Sequence, residues 1–192
     1  MNDEIVNNGH FFNPSKGNLN FDEVIKEIKS YIQEQPEFFY DIVVGCDSPS
    51  SDKPFFPIAI VVLRTGAGGR FFLKKMRYPD NFLKKFANIN WKNRILQEVY
   101  LSCELALSLR ERLNEEFGPD CKAIADPRWQ SHRDKATSTF NYQFQYIHAD
   151  VGEVGKTKEM VKEVVGLIKS NGFEPCIKPK SFAATVVADR FT

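Results

Sequence analysis

The order of strand-like and helix-like segments is the feature that most narrows the folds open to this 192-residue chain. Three consecutive strands are predicted first, at residues 40–46, 55–64 and 70–76, and a glycine-rich turn at 66–69 joins the last two as a hairpin. Two more strands then alternate with helices, at 91–114 (helix), 144–149 (strand), 157–170 (helix), 173–177 (strand) and 182–190 (helix). This order predicts an α/β fold in which helices cover both faces of one mixed five-stranded sheet.

The first 36 residues are predicted to form an N-terminal arm and a helix. Residues 1–19 carry Asn, Gly, Pro and Ser and are expected to be irregular. Asn20 precedes an amphipathic stretch, and Glu23 lies three residues further on, which predicts a capping box. Pro36 ends the helix. The length indicates a single domain spanning residues 1–192.

Composition excludes several classes of protein. With 42% hydrophobic residues and 17 Phe, the chain can build a core and is not globally disordered. The formal net charge is +1, which excludes a strongly basic coat but leaves room for a local basic groove. No run of about 18 apolar residues is present, so a membrane span is not expected. The four widely spaced cysteines form no C-x-x-C pair, and the N-terminus is polar, so we expect reduced thiols in a cytoplasmic protein.

Four acidic residues stand at or near the ends of predicted elements. Asp47 directly follows the first strand, and Asp150 directly follows the fourth. If these strands are parallel neighbours, the two carboxylates emerge side by side, and a divalent cation such as Mg²⁺ or Mn²⁺ would relieve their repulsion. Glu98 falls about 60° from Ile95 on the long helix, at the border of its apolar stripe. Asp189 borders the apolar face of the last helix.

Simpler structural roles are open to the same residues and to their neighbours. An Asp after a strand often forms a turn, and a Glu beside an apolar stripe often makes a surface ion pair. The segment 152–157 resembles the end of a phosphate-binding loop, but Asp150 occupies the position where that loop needs Gly. Ser48 lacks the G-x-S-x-G context of a hydrolase nucleophile. Strand alternation places His148 on the same side as Asp150, where packing is the simplest role.

Five segments carry a family resemblance. They are F-F-N-P-S-K-G-N-L-N-F-D-E-V-I-K-E-I at 11–28, V-G-C-D-S at 44–48, I-L-Q-E-V-Y-L-S-C-E-L-A at 95–106, G-K-T-K-E-M-V-K-E-V-V-G at 155–166 and K-P-K-S-F-A-A-T-V-V-A-D-R-F-T at 178–192. Through them the chain resembles the YkuK-like family of predicted ribonuclease H-like proteins, a bacterial group of unknown function. In the ribonuclease H-like fold, acidic residues occupy four places that are matched in order by Asp47, Glu98, Asp150 and Asp189.

The resemblance implies a chemistry for those residues. Two Mg²⁺ or Mn²⁺ ions about 3.5–4 Å apart would act on a phosphodiester of RNA, DNA or a hybrid of the two. Asp47 would bridge the ions, with Asp150 and Glu98 on one side and Asp189 on the other, so that all four are both metal ligands and catalytic residues.

Three basic residues are expected to contact the flanking phosphates of the nucleic acid, with plain surface charge as the alternative. They are Lys156, Lys158 and Arg190.

Departures from the family pattern leave a second interpretation open. The family tends to have Thr before the first Asp and Gln two residues after it, where this chain has Cys46 and Pro49. The segment 121–142 is longer than expected, and its Asp126 and Asp134 compete for a role as ligands. The alternative is a catalytically inactive ribonuclease H-like module that binds nucleic acid or a protein partner. Its oligomeric state has no signature in the sequence.

Overall fold

The computed structural model describes residues 4–51, 54–79, 90–118 and 141–191. Within them seven strands form one sheet, and their bounds are β1 Phe11–Asn13, β2 Gly17–Leu19, β3 Tyr40–Cys46, β4 Phe56–Arg64, β5 Gly69–Met76, β6 Tyr142–Ala149 and β7 Glu174–Cys176. The α-helices are α1 Glu4–Asn7, α2 Phe21–Glu34, α3 Trp91–Phe117 and α4 Val161–Ser170. A 3-10 helix, Lys156–Met160, precedes α4. The described chain ends in a π-helix, Ala183–Ala188, and a 3-10 turn, Asp189–Phe191, which together we call the C-terminal segment.

The sheet is mixed, as the sequence predicts. Its strand order is β2-β1-β5-β4-β3-β6-β7. The pairs β3–β6 and β6–β7 are parallel, whereas the other neighbours are antiparallel. The α/β class and the three-strand meander β3-β4-β5 are therefore confirmed.

The prediction that residues 1–19 are irregular is wrong, because this arm adds two strands to the edge of the sheet. β1 and β2 form a hairpin, and β1 pairs with β5 through Phe12 and Leu73. Phe11 is fully buried at this edge. Each of these strands has only three residues, too few to show the alternation by which strands are recognised in a sequence. The sheet accordingly has seven strands instead of the expected five.

The two faces of the sheet are covered differently. Ile42, Val44 and Cys46 of β3 point toward the large core, which packs the sheet against α2, α3 and α4. Val43 points to the opposite face, in a smaller core with Ala183 and the rest of the C-terminal segment. We call these the helix face and the C-terminal face. Residues of β3 with odd numbers thus belong to the C-terminal face.

A β-bulge in β6 changes which of its residues share these faces. Ile42 of β3 pairs with Phe144, but the next residue, Val43, pairs with Tyr146, so Gln145 is the extra residue. Before the bulge Phe144 points into the helix face, whereas after it Ile147 does. A bulge shifts the alternation by one. The even-numbered residues at the end of β6 therefore share the C-terminal face with the odd-numbered residues of β3.

Helix α2 begins as predicted. The Asn20 side chain accepts a hydrogen bond from the backbone N–H of Glu23 at 2.9 Å, and Glu23 Oε2 accepts one from the N–H of Asn20 at 2.7 Å. The capping box is therefore confirmed. Among the helices of the described ranges, none is long and apolar enough to cross a bilayer. Most of the segment 121–142, including Asp126 and Asp134, lies outside the described residues.

Candidate active site

Asp47 and Asp150 lie side by side at one edge of the sheet. The last paired residues of the parallel strands β3 and β6 are Cys46 and Ala149, and they are partners. The two aspartates follow them directly, on strands about 4.8 Å apart. The bulge in β6 gives both positions the same facing, toward the C-terminal face. The structure thus brings these two predicted residues together.

The C-terminal segment brings Asp189 to the same place. It crosses β3 so closely that a Cβ atom added to Gly45 would lie 2.7 Å from the backbone N of Ala184 and 2.9 Å from the carbonyl carbon of Ala183. Only glycine permits such contact between a strand and a backbone. Asp189 follows this crossing, and the Asp47 carboxyl group, when protonated, donates a hydrogen bond to it.

His148 fixes the start of this crossing. Its Nδ1 accepts a hydrogen bond from the backbone N–H of Ala183 at 3.1 Å, and its ring packs edge-on against Phe182 at 4.5 Å between centroids. Burial lowers the pKa of His148 from 6.5 to about 4, so the ring is neutral at pH 7 and can accept this bond. The histidine therefore packs, as expected, and also positions the segment that carries Asp189.

Glu98 approaches from the helix face. It lies on α3 and is only 5% exposed. The Ser48 hydroxyl donates a hydrogen bond to Glu98 Oε1 at 2.5 Å, and Arg94 Nε lies 4.0 Å from the same oxygen. Burial raises the pKa of Glu98 well above its usual value, and the charge of Asp47 raises it further, while Ser48 and Arg94 offset only part of this rise.

Arg94 connects α3 to the loop after β3. Its guanidinium donates to the carbonyl of Pro49 at 3.0 Å and to Ser50 Oγ at 2.9 Å. These contacts hold the loop that carries Asp47 and Ser48 against the helix that carries Glu98.

Asp47 is the central member of what we call the carboxylate cluster, formed by Asp47, Glu98, Asp150 and Asp189. Burial, followed by the charge of Asp150, raises the pKa of Asp47 from 3.8 to about 7, and Asp189 contributes as well. The backbone N–H of Ser48, which donates to Asp47 Oδ1 at 2.9 Å, opposes this rise. Burial and acidic neighbours thus make both Asp47 and Glu98 harder to ionise than ordinary carboxyl groups.

The donor chemistry of the cluster suits a hard divalent cation, which prefers carboxylate oxygens. Among the described residues, however, no group of three or more His, Cys, Asp or Glu side chains is already arranged so that it could hold a metal ion. Two members are instead held by their own chain, since Glu98 bonds to Ser48 and Asp150 Oδ1 lies 2.8 Å from Lys178 Nζ. The Lys178 and Asp150 side chains are 46% and 23% exposed, so this pair contributes only about 0–1 kcal/mol. A cation can displace it at little cost.

The three basic residues expected at a nucleic acid are all exposed. Lys156 and Lys158 lie on the 3-10 helix that follows Asp150 and line a hollow of about 490 Å³. Lys156 Nζ also lies 4.7 Å from the centroid of the Trp91 ring. Arg190 follows Asp189 in the C-terminal segment.

Several residues that shape the cluster do not emerge from sequence reasoning. Arg94 has a usable signal, because it lies four residues before Glu98 on the same helix. Gly45 and Lys178 have none, since each acts through a segment far away in the chain. For Ser48, the sequence leads us to consider only a role as a nucleophile. In the structure its hydroxyl donates a hydrogen bond to Glu98 instead.

Comparison with known proteins agrees with this architecture. The chain is 29% identical over 185 residues to a protein of Bacillus subtilis (strain 168) named uncharacterized protein YkuK, and the match covers 95% of this chain and 96% of that protein. No solved structure matches the chain significantly. A family model described as ribonuclease H-like matches residues 23–192, which include the whole carboxylate cluster. The chain therefore belongs to the ribonuclease H-like family.

Proposed function

We propose that this protein is a divalent-metal-dependent nuclease that hydrolyses phosphodiester bonds of RNA or DNA in the cytoplasm. The observation that carries the proposal is that Asp47 and Asp150 directly follow paired residues of the parallel strands β3 and β6, where burial and the charges of Asp150 and Asp189 raise the pKa of Asp47 to about 7. Folding has placed these acidic groups against one another at a cost in stability. Such a cost is typical of sites whose stabilising partner is a bound cation.

Mg²⁺ or Mn²⁺, with two ions expected, would be held by the four carboxylates of the cluster after their side chains turn toward the ions and Lys178 leaves Asp150. When bound, such ions activate water for attack on a phosphodiester and stabilise the leaving oxygen. The protein's own contribution is to hold the carboxylate side chains in position. The N–H of Ser48 fixes the Asp47 carboxylate, and the Ser48 hydroxyl fixes Glu98 on the other side. Glu98 is only 5% exposed, so bulk water has little access to that side of the cluster.

Metal-dependent stabilisation and cleavage test this proposal together. Thermal unfolding is followed with Mg²⁺, Mn²⁺ or EDTA, and labelled RNA, DNA and hybrid are then offered as substrates. We expect metal to raise the melting temperature of the wild type but not of Asp47→Asn. Cleavage should fall in Asp47→Asn by more than the about 10–100-fold that loss of an outer-shell partner costs. The exposed Glu174→Gln is the control. A wild type that neither responds to metal nor cleaves any of the three substrates contradicts the proposal.

A second candidate is a ribonuclease H-like module that binds nucleic acid or a protein partner without cutting. The observation that favours it is the contact between Lys178 Nζ and Asp150, because a cation from the chain itself already neutralises one member of the cluster. This candidate predicts nucleic-acid binding that Mg²⁺ and Mn²⁺ leave unchanged, with no cleavage.

A further inference from the structure

An aromatic ring with two lysine ammonium groups near it lies at the start of α3, and one of these lysines, Lys156, belongs to the 3-10 helix that follows β6, on the side of β3 away from β4. Lys156 Nζ is 4.7 Å and Lys92 Nζ 5.6 Å from the centroid of Trp91. Trp91 precedes Glu98 by seven residues, which is two helical turns or about 10 Å along the axis. The ring is half-buried, so part of it stays accessible.

A second such ring lies on the other side of the cluster, just before β4. Lys75 Nζ is 4.9 Å from the centroid of Phe55, and the guanidinium carbon of Arg77 is 6.0 Å from it. Phe55 is also half-buried. Lys75 lies at the end of β5 and Arg77 directly follows this strand, which finishes at the same edge of the sheet because Met76 pairs with Phe56.

The strand register gives the distance between this second ring system and Asp47. The backbone N–H of Asp47 donates to the carbonyl of Pro57 at 3.2 Å, and Pro57 is the partner of Lys75 across β4 and β5. Lys75 is therefore two strand spacings, about 10 Å, from Asp47. Leu73 belongs to the core of the C-terminal face, so Lys75, two residues later, projects on that same face.

We propose that the protein takes single-stranded nucleic acid, with unpaired bases stacking on Trp91 and Phe55 on either side of the carboxylate cluster. This inference rests on the proposed function, whose substrate class it names. Lys156, Lys75 and Arg77, which lie over the rings in the free protein, then turn to flanking phosphates and leave the ring faces to the bases. Stacking on an aromatic ring needs an open base face, and in a duplex both faces are covered by neighbouring bases. A chain of net charge +1 has little general attraction for a duplex backbone, so these local contacts dominate.

Tryptophan fluorescence tests stacking directly. The chain has two tryptophans, Trp91 and Trp129, so Trp129→Phe leaves Trp91 as the only reporter. This variant is titrated in EDTA, where metal-dependent cleavage cannot occur, with oligo(dT), oligo(rU) and a mixed-sequence duplex of equal length. We expect saturable quenching by the single strands and weak or no quenching by the duplex. Absence of quenching by both single strands, or equal quenching by the duplex, overturns the inference.

Affinity measurements on ring variants give a second test. Fluorescence anisotropy of labelled oligo(dT) in EDTA should show Trp91→Ala and Phe55→Ala each weakening binding by about 5- to 150-fold. The control is Tyr100→Ala, because Tyr100 is 53% exposed and lies half a turn around α3 from Trp91. It should change affinity by less than about twofold. Equal losses in all three variants, or none in the ring variants, contradict the inference. If a ring variant fails to fold, the quenching measurement decides.

The outcomes separate this inference from the proposed nuclease activity. Quenching and ring-dependent affinity without cleavage support the single-strand site and remove the nuclease proposal. Metal-dependent cleavage, together with an affinity that does not depend on either ring, supports the nuclease proposal and removes the single-strand site.

Discussion

Replacing Asp47 by Asn should stabilise the metal-free protein, although Asp47 is the centre of the candidate site. The side chain keeps its size but loses the charge that repels Asp150 and Asp189. Its new amide N–H groups have carboxylate oxygens beside them as acceptors. The substitution therefore removes the repulsion without creating a cavity.

The magnitude follows from the pKa of Asp47, which burial and the neighbouring aspartates raise from 3.8 to about 7. Because the folded-state pKa is the higher one, the unfolded chain loses this proton first as pH rises. The contribution of Asp47 to the stability of the wild type is fully present below pH 3.8, is lost between pH 3.8 and about 7, and is absent above that. A pKa shift of this size corresponds to a loss of at most about 4 kcal/mol in the free energy of unfolding. Solvent screening reduces the expected loss to roughly 2–4 kcal/mol.

Urea denaturation in EDTA at several pH values is the assay, with the exposed Glu174→Gln as control. The difference in unfolding free energy between Asp47→Asn and wild type should grow from near zero at pH 4 to about 2–4 kcal/mol at pH 8. His148, whose low pKa makes the fold lose stability as pH falls from 6.5 to about 4, titrates in both proteins and cancels in the difference. A difference that does not change with pH, or an Asn variant that is less stable at pH 8, would refute the reasoning.

Two further substitutions test how the site is assembled. Gly45→Ala should destabilise the protein by about 1–3 kcal/mol and weaken the effect of Mg²⁺ on its melting temperature, because the new Cβ forces the C-terminal segment away from β3. Gly166→Ala, in α4 with open space around it, is the control and should stabilise by up to about 1 kcal/mol in the same thermal scans. Lys178→Met should tighten Mn²⁺ binding by about 2- to 5-fold in calorimetric titrations, since Asp150 loses its competing cation. Lys180→Met should leave the affinity unchanged, and an equal gain in both lysine variants would contradict this role for Lys178.

The sequence predicts those helices and strands whose residue patterns extend over many positions or include a specific capping group. The apolar β-branched segment of β3, the long amphipathic α3 and the capping box at Asn20 each extend over enough residues, or use specific enough groups, to be recognised. The three-residue strands β1 and β2 do not. Their formation depends on pairing with β5 and on burial of Phe11, which are long-range effects.

The placement of Asp47 beside Asp150 follows from parallel strands that end together, which the order of elements suggests. The order of elements does not predict that the two carboxylates point to the same face of the sheet. This depends on the bulge at Gln145, for which the sequence has no recognisable signal. The approach of Asp189 depends on Gly45, whose missing side chain has a meaning only once the C-terminal segment is seen against it. Residue types can therefore indicate a metal site, but side-chain facing and close backbone contact need the three-dimensional structure.

A crystal structure of the wild type grown with Mn²⁺, with anomalous scattering recorded at the manganese edge, tests most directly whether Asp47 and Asp150 bind the same cation. We expect an anomalous peak within about 2.0–2.3 Å of oxygens from both Asp47 and Asp150, with Lys178 turned away from Asp150. A structure without a peak at the carboxylate cluster, in which Lys178 still holds Asp150 at high Mn²⁺ concentration, would contradict the account.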